Sequence, residues 1–436
     1  MNAFEKLGTL KGQSVELGLW QVTRLLDRLD HPERDWPAVH VAGTNGKGSA
    51  CAMLAAMLRR AGHRTGLLTS PHLIDYSERI RVDGVPIDEP AAAAALGRLE
   101  RPEGDGSFGL FDGSFFEVTT ALAFEHFRRR GVDVAVLETG LGGRLDASNV
   151  CFPAVTAITS IDLDHTKTLG PDLASIAAEK AGILKPGVPV VLGPLEPEAR
   201  DVIEAIAAAR GAPVHDAERE VDVRVIVSDW EGLEVVVRMA DLPAASARLP
   251  LPGRHQVANL KVALAAARLF DPREESWEDL VDGLEDTRWP GRLQRVEGTP
   301  VRVYDVAHNL AGVQALSSAL GDLGVPEGSV LVIGLLGDKD LAGEAEILAR
   351  HFDRAVAATP PHPLRARPAA ETAEGLRTAG IEAEAVDDVA AACERATGLL
   401  RGEGAVFVTG SLFTVGAAMA AFGDRVDEPN LAGHGG

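Results

Sequence analysis

Cysteine is scarce: the 436 residues contain three, at positions 51, 151 and 393, and no CxxC pair. That spacing excludes a disulfide framework and a thiolate metal site, and leaves plain core residues. Long apolar runs are missing too, with no stretch of about 18 uninterrupted hydrophobic residues to span a bilayer. The N-terminal segment lacks a basic start followed by an apolar core, so no secretory leader is expected. The expectation is a cytoplasmic protein with no membrane partner. Basic charge is also short: 43 Lys and Arg face 64 Asp and Glu, a formal net charge of −21. A broad nucleic-acid surface needs clustered Lys and Arg and is excluded on that balance. Any anionic ligand must be held locally, by glycine-rich turns and isolated cations.

What is present fits a soluble globular chain, 46% hydrophobic and 25% charged, and its length predicts two domains. Short β-branched runs at 37–45, 66–69, 133–138, 154–161 and 189–192 alternate with helical stretches at 49–62, 118–130 and 172–184. The segment from 219 to 239 reads as an antiparallel ribbon turning near Trp230, and a helix follows at 256–269. A second alternating series begins after RVEGTP (295–300), with strands in VRVYDVAHN, VLVIGLLGDKD, RAVAAT and AVFVTGSL. The pattern predicts an α/β protein: a P-loop-type, doubly wound N-terminal ATPase domain over 1–296 and a smaller Rossmann-like α/β domain over 297–425. Residues 426–436 are polar and glycine-rich and read as a flexible tail.

Gly43-Thr44-Asn45-Gly46-Lys47-Gly48-Ser49 stands where a strand turns into a helix, so its N–H groups and the helix N-terminus can face a polyphosphate. Lys47 adds a mobile positive charge, and Ser49 can offer a hydroxyl to a phosphate-bound Mg²⁺. The usual GxxxxGK[ST] spacing is not met, because Val41 occupies its first glycine position and Gly48 follows the lysine. The same residues are compatible with a plain glycine turn bearing a surface lysine. Ser70, Glu138 and His165 follow three other strands, at the edge where ligand sites of α/β sheets gather. They make a candidate oxygen-and-imidazole set for Mg²⁺; a structural strand-end His is the alternative. In the helix 172–184, Leu173, Ile176, Ala177, Lys180 and Leu184 share one face at i, i+3, i+4 spacing, which turns Lys180 inward. A buried ammonium must meet an anion, lose its proton or be modified, unless its stem packs and its head snorkels to water.

Taken in order, GTNGKGS, TSPHL, ETGLGGRLDASN, SIDLDHTKTLG, AEKAGI, GRHQVANLKVA, WPGRLQ, YDVAHN, LGDKD and TGSLFTVG resemble the folylpolyglutamate synthase and dihydrofolate synthase family of the Mur ligase superfamily. Each block is weak alone, but the ordered set covers nearly the whole chain. The resemblance implies an ATP- and Mg²⁺-dependent ligase, with K⁺ as an optional further ion, acting on dihydropteroate or a reduced folate and L-glutamate as a monomer. It implies that the 43–49 loop, with Lys47 and Ser49, contacts ATP phosphates and that Ser70, Glu138 and His165 hold Mg²⁺. Lys180 matches the lysine that these ligases carbamylate. Asn259 and Arg292 resemble adenine and phosphate contacts from the first domain; Asp305 and His308 resemble nucleotide contacts from the second. Pterin-side binding is implied for the SPHLIDYSERI loop and for Phe116, Asp146 and Ala147, with Ser411 near the incoming glutamate. The chain departs from the family pattern at DVAHNL, where DGAHNP is frequent, and at Phe413, where tyrosine is frequent. A Mur-type ligase of cell-wall peptides and an ATP-gated switch protein are the competing readings.

Overall fold

The computed structural model describes residues 2–10, 18–100, 111, 113–240, 242–271, 273, 276–362 and 364–425. The expected tail at 426–436 lies outside them. Eight strands form the first sheet, in spatial order Val85–Pro86, Ile80–Val82, Thr65–Leu68, Val134–Glu138, Ala38–Ala42, Val155–Ile158, Val190–Leu192 and Val214–Asp216. All pairings are parallel except those of the first two strands. Every residue of Ala38–Ala42 and Val134–Glu138 is buried, as a parallel sheet covered on both faces requires. On one face lie the helices Glu89–Leu99 and Phe115–Arg130, packed together with Trp20–Arg28. The Phe115–Arg130 helix is bounded by local chemistry: Ser114 and Glu117 form a capping box, and Gly131 closes it at φ +60°.

The opposite face carries the helices Lys47–Arg60 and Gln256–Phe270, and a three-stranded antiparallel sheet of Val221–Asp229, Gly232–Met239 and Ala245–Leu249 lies over them. The turn of that sheet reaches the other lobe, where the Trp230 ring sits 6.2 Å from Phe407. The second large sheet has six strands, in order Gln294–Val296, Arg302–Tyr304, Val406–Thr409, Val330–Ile333, Arg354–Ala357 and Glu382–Ala385. It is parallel apart from its first strand. Two apolar clusters cover its two faces, so the architecture is the two-lobed, doubly wound α/β arrangement that the alternation predicts.

Three local differences from the sequence reading have physical causes. The strands Val214–Asp216 and Glu382–Ala385 are edge strands with partly exposed, polar sequences and lack the apolar run that marks a central strand. The α-helix expected over 172–184 runs Leu173–Lys180 and tightens into a 3₁₀ turn, Ala181–Ile183, where Gly182 lies so close to Arg144 that a Cβ would come within 2.3 Å of its Cα. The expected linker at 295–300 is the turn of a hairpin: Gln294–Val296 pairs antiparallel with Arg302–Tyr304. The 296/297 division therefore falls inside the second sheet, and the crossing between lobes precedes Gln294.

Candidate active site

The strand Ala38–Ala42 delivers the chain to a loop stitched onto the neighbouring strand end. Thr44 N donates to Ser160 O (2.8 Å), Asn45 N to Ser160 Oγ (3.0 Å), and Thr159 Oγ1 donates back to Asn45 O (2.6 Å). Gly46 caps the following helix at φ +82°, and a Cβ there would lie 2.0 Å from Asn259 Oδ1. Only glycine allows this loop and the Gln256–Phe270 helix to approach so closely. Asn259 is itself held by Gln256, whose Oε1 accepts from Nδ2 at 2.9 Å.

Two lysines meet at one carbonyl. Lys47 Nζ donates to Gly43 O (3.0 Å) and Thr44 O (3.1 Å), while Lys180 Nζ donates to Gly43 O at 2.7 Å. Lys180 is 5% exposed, so its head does not snorkel to water. Burial, then the nearby Lys47 charge, brings its pKa down to about 7. Ser49 is buried in the first turn of the Lys47–Arg60 helix.

Glu138 is buried at its strand end, and its Oε2 accepts from Ser70 N at 3.0 Å. Burial raises its pKa, and the charges of Lys47, Arg292 and Arg79 and the Ser70 N–H oppose that rise. Arg292 lies between two carboxylates, Asp305 and Glu138, and burial works against its charge. A cleft opens here, lined by Ser70, Glu138, Arg81, Trp289, Arg292 and Leu412 among others. It brings together residues of both lobes.

His165 lies in the segment that follows the strand Val155–Ile158. It occupies a left-handed position (φ +51°) at the start of the Thr166–Leu169 turn, among Asp164, Lys339, Arg365 and His308. Ser70 and Glu138 share a hydrogen bond, but no bond joins His165 to them among those described. Nor do three His, Cys, Asp or Glu side chains converge on a metal position among the described residues. The Asp164 cluster spans the lobes: Lys339 Nζ donates to Asp164 Oδ1 (2.7 Å), Asn309 Nδ2 to Asp164 Oδ2 (3.2 Å), and His308 Nε2 stands 3.7 Å away. A carbonyl can only accept, so His308 Nδ1 carries the proton in its 2.9 Å contact with Val306 O. These partners hold the Asp164 carboxyl well below the usual range despite its burial. Sequence reasoning did not assign Lys339, although it stands in the quoted LGDKD block.

Asp305 fastens its own lobe, with Oδ2 accepting from Leu293 N and Oδ1 from Ala307 N, both at 2.9 Å. Ser411 is buried as the N-cap of the Leu412–Phe422 helix; its Oγ accepts from Thr414 N (3.1 Å). Phe116 packs against Gly140 beside Asp146, and Ala147 is buried next to it. The arrangement supplies concentrated positive charge at a strand-to-helix turn, a buried carboxylate facing it, and a second lobe closing over both.

The Mur ligase middle domain matches residues 112–267, and the Mur ligase glutamate ligase domain matches residues 291–412. The dihydrofolate synthase/folylpolyglutamate synthase of Escherichia coli K12 is 36% identical over 419 residues, covering 96% of this chain and 94% of that protein. A structure of Escherichia coli FolC in complex with DHPP and ADP aligns with a TM-score of 0.83 at 34% identity, over 97% of this chain and 98% of that one. A bifunctional folylpolyglutamate synthase/dihydrofolate synthase with Mn, AMPPNP and L-glutamate bound aligns at 0.80 and 33% identity, over 97% and 98%. With both Mur ligase domains matched and 36% identity along nearly the whole chain, this protein belongs to the folylpolyglutamate synthase and dihydrofolate synthase family of Mur ligases.

Proposed function

We propose that the protein is an ATP- and Mg²⁺-dependent ligase that joins the amino group of L-glutamate to a carboxylate of a folate-type acceptor. The carrying observation is that Lys47, which shares the Gly43 carbonyl with Lys180, acts on the buried Glu138, and that Glu138 and Arg292 line one interlobe cleft, in a chain with folate-ligase relatives along nearly its full length. A free carboxylate is a poor acylating agent. Its oxygen attacks the γ-phosphorus of ATP, giving an acyl phosphate and ADP; the glutamate amine then attacks the acyl carbon, phosphate leaves and the nitrogen loses a proton. Attack of one anion on another needs positive charge positioned beforehand, which Lys47 and Arg292 supply.

In this reading Gly43 to Ser49, Asn259, Arg292, Asp305 and His308 hold the nucleotide. Phe116, Asp146 and Ala147 form the pterin side, and Ser411 marks the glutamate side. Ser49, Ser70 and Glu138 would hold the hard cation, since carboxylate and hydroxyl oxygens are donors of the kind Mg²⁺ takes together with phosphate. Mg²⁺, when bound, shields the charge of the phosphates. His165 and a carbamate on Lys180 would supply ligands for a second ion. A lysine with a pKa near 7 is neutral in a large fraction of molecules at physiological pH, and that free amine can bond to CO₂ with loss of a proton. We place the boundary between the ATP-binding and glutamate-ligase lobes just before Gln294. We further propose that the enzyme works as a monomer in the cytoplasm.

The test is ADP release by the purified protein with Mg²⁺, ATP and L-glutamate, comparing dihydropteroate with a reduced folate monoglutamate. Turnover with both defines a bifunctional ligase, and turnover with one assigns its acceptor. Folded protein that turns over neither would sink the folate reading.

A further inference from the structure

Asp146 is the expected pterin-side carboxylate, yet the protein already uses its capacity. Its Oδ2 accepts from Gly140 N (2.8 Å) and Leu141 N (2.9 Å); its Oδ1 accepts from Ser148 N (3.0 Å) and Ser148 Oγ (2.5 Å). An ionised carboxylate offers about four acceptor sites, and four donors fill them here. Because the Ser148 hydroxyl proton is committed to Asp146, Ser148 Oγ can only accept from His40, whose Nε2 lies 2.8 Å away. That fixes His40 as the Nε2–H tautomer and leaves Nδ1 as the acceptor, 3.9 Å from Cys151 Sγ. The protons therefore run one way, from the Cys151 thiol to His40, to Ser148, to Asp146. His40 and Ser148 are fully buried, and Asp146 is 5% exposed.

Phe116 stands against Gly140 of this loop: a Cβ there would lie 2.9 Å from Phe116 Cζ and 3.3 Å from Asp146 Oδ2, so the ring lies beside both the loop backbone and the saturated carboxylate. His40 belongs to the strand Ala38–Ala42 that runs into the 43–49 loop, so the relay ties that strand to the loop after Glu138. We propose that His40 and Ser148 are positioning residues for acceptor binding: they lock Asp146 as the knot of the 140–148 loop, so that the pterin meets the loop backbone and Phe116 and not the Asp146 carboxylate. This rests on the folate reading above. Burial, helped by Lys185, brings the His40 pKa down to about 3, and burial pushes the Cys151 thiol up to about 12; burial also raises the Asp146 pKa, against which its Ser148, Leu141 and Gly140 donors work.

The experiment compares wild type, Ser148→Ala and His40→Gln with dihydropteroate and its 2-desamino analogue as acceptors. Expected is a rise of about tenfold in KM for both acceptors, with kcat and the KM for ATP and glutamate moving less than about twofold. An equal rise in the KM for ATP would show a merely structural role and overturn the inference. A rise confined to the acceptor that keeps its amino group would overturn it too, by revealing direct carboxylate contact. Two-bond ¹H–¹⁵N spectra of the full-length protein supply a readout that needs no catalysis and no variant. His40 should be the Nε2–H tautomer and should not titrate between about pH 5.5 and 8; the other tautomer, or titration, overturns the relay. Wild type that neither binds nor turns over dihydropteroate removes the folate reading itself. Active wild type with an indifferent Ser148→Ala variant removes only this inference.

Discussion

Asn45 and Asn309 exchange hydrogen bonds across the interlobe cleft: Asn45 Nδ2 donates to Asn309 Oδ1 (3.3 Å) and Asn309 Nδ2 to Asn45 Oδ1 (3.1 Å). Asn309 has a second task, because its Oδ1 also accepts from Gly312 N (2.8 Å) and caps the helix Leu310–Leu323. Asn45→Ala and Asn309→Ala should therefore raise the KM for ATP alike, by about tenfold. Only Asn309→Ala should also lower stability, by about 1 kcal/mol for the lost cap. Steady-state kinetics beside urea unfolding check this, and an equal stability loss in both variants would contradict it.

Lys47→Ala should cut kcat by about a thousandfold or more, the scale for losing a charge that stabilises the transition state. The fold should persist, since Lys47 Nζ contacts only carbonyls of its own loop, Gly43 O and Thr44 O, among its hydrogen bonds. Circular dichroism with ADP release tests the pair of statements; near-normal turnover would remove the phosphate-loop assignment.

Lys180 predicts stability that grows toward alkaline pH. Its pKa falls from the ordinary lysine value of 10.5 to about 7 in the fold, so between those values the unfolded chain binds more protons. Stability then rises with pH across that window, with a slope of at most ~1.4 kcal/mol per pH unit from this group. Lys180→Met should flatten the wild-type curve there. Parallel urea-unfolding curves for the two proteins from about pH 7 to 10 would mean that Lys180 is not a buried base.

Glu344 predicts the opposite trend. It is fully buried with neither carboxyl oxygen partnered, and burial pushes its pKa from 4.5 to about 8, against the pull of Lys339. Between 4.5 and 8 the folded chain binds more protons, so the stability contributed by this group is full below 4.5 and is lost as pH rises through 8. Glu344→Gln should gain stability over wild type as pH rises through that window. Denaturation midpoints at acid and mildly alkaline pH decide it.

Gly416 sits in the Leu412–Phe422 helix where a Cβ would lie 2.0 Å from Leu73 O of the 70–79 loop, whereas Gly97, in the helix Glu89–Leu99, has open space. Gly97→Ala should stabilise by ~0.5–1 kcal/mol through helix propensity. Gly416→Ala should destabilise by ~1–3 kcal/mol and raise the acceptor KM, because backbone must move. Calorimetry on both variants tests the contrast; stabilisation by Gly416→Ala would disprove the contact.

How much of this was legible in the sequence depends on whether one segment carries its own signal. The strand at 38–42 and its glycine turn announce themselves by apolar run, glycines and a following alanine-rich helix, and Lys180 betrays itself by standing in an apolar stripe. Edge strands such as Glu382–Ala385 do not, because an exposed edge needs no apolar alternation. Nor did the hairpin at 294–304, where Gly298 and Pro300 read as linker chemistry while the pairing they permit is set by distant Val406–Thr409. The Asp164 cluster is the same problem in charge: Lys339 lies 175 residues away from Asp164, and nothing local to either marks the pair. The neighbours of His165 are unmarked for a related reason, since following a strand fixes an edge but not which side chains it meets.

The Gly43 carbonyl accepts from two ammonium groups, and a consequence for timing follows. Any polyphosphate that recruits Lys47 draws a like charge away from Lys180, whose proton affinity is held down in part by that neighbour. Lys180 then regains its proton more readily and becomes a worse nucleophile toward CO₂. If the lysine is to carry a carbamate, the favourable order is modification first and nucleotide second, so one backbone oxygen makes the history of the site matter to its activity.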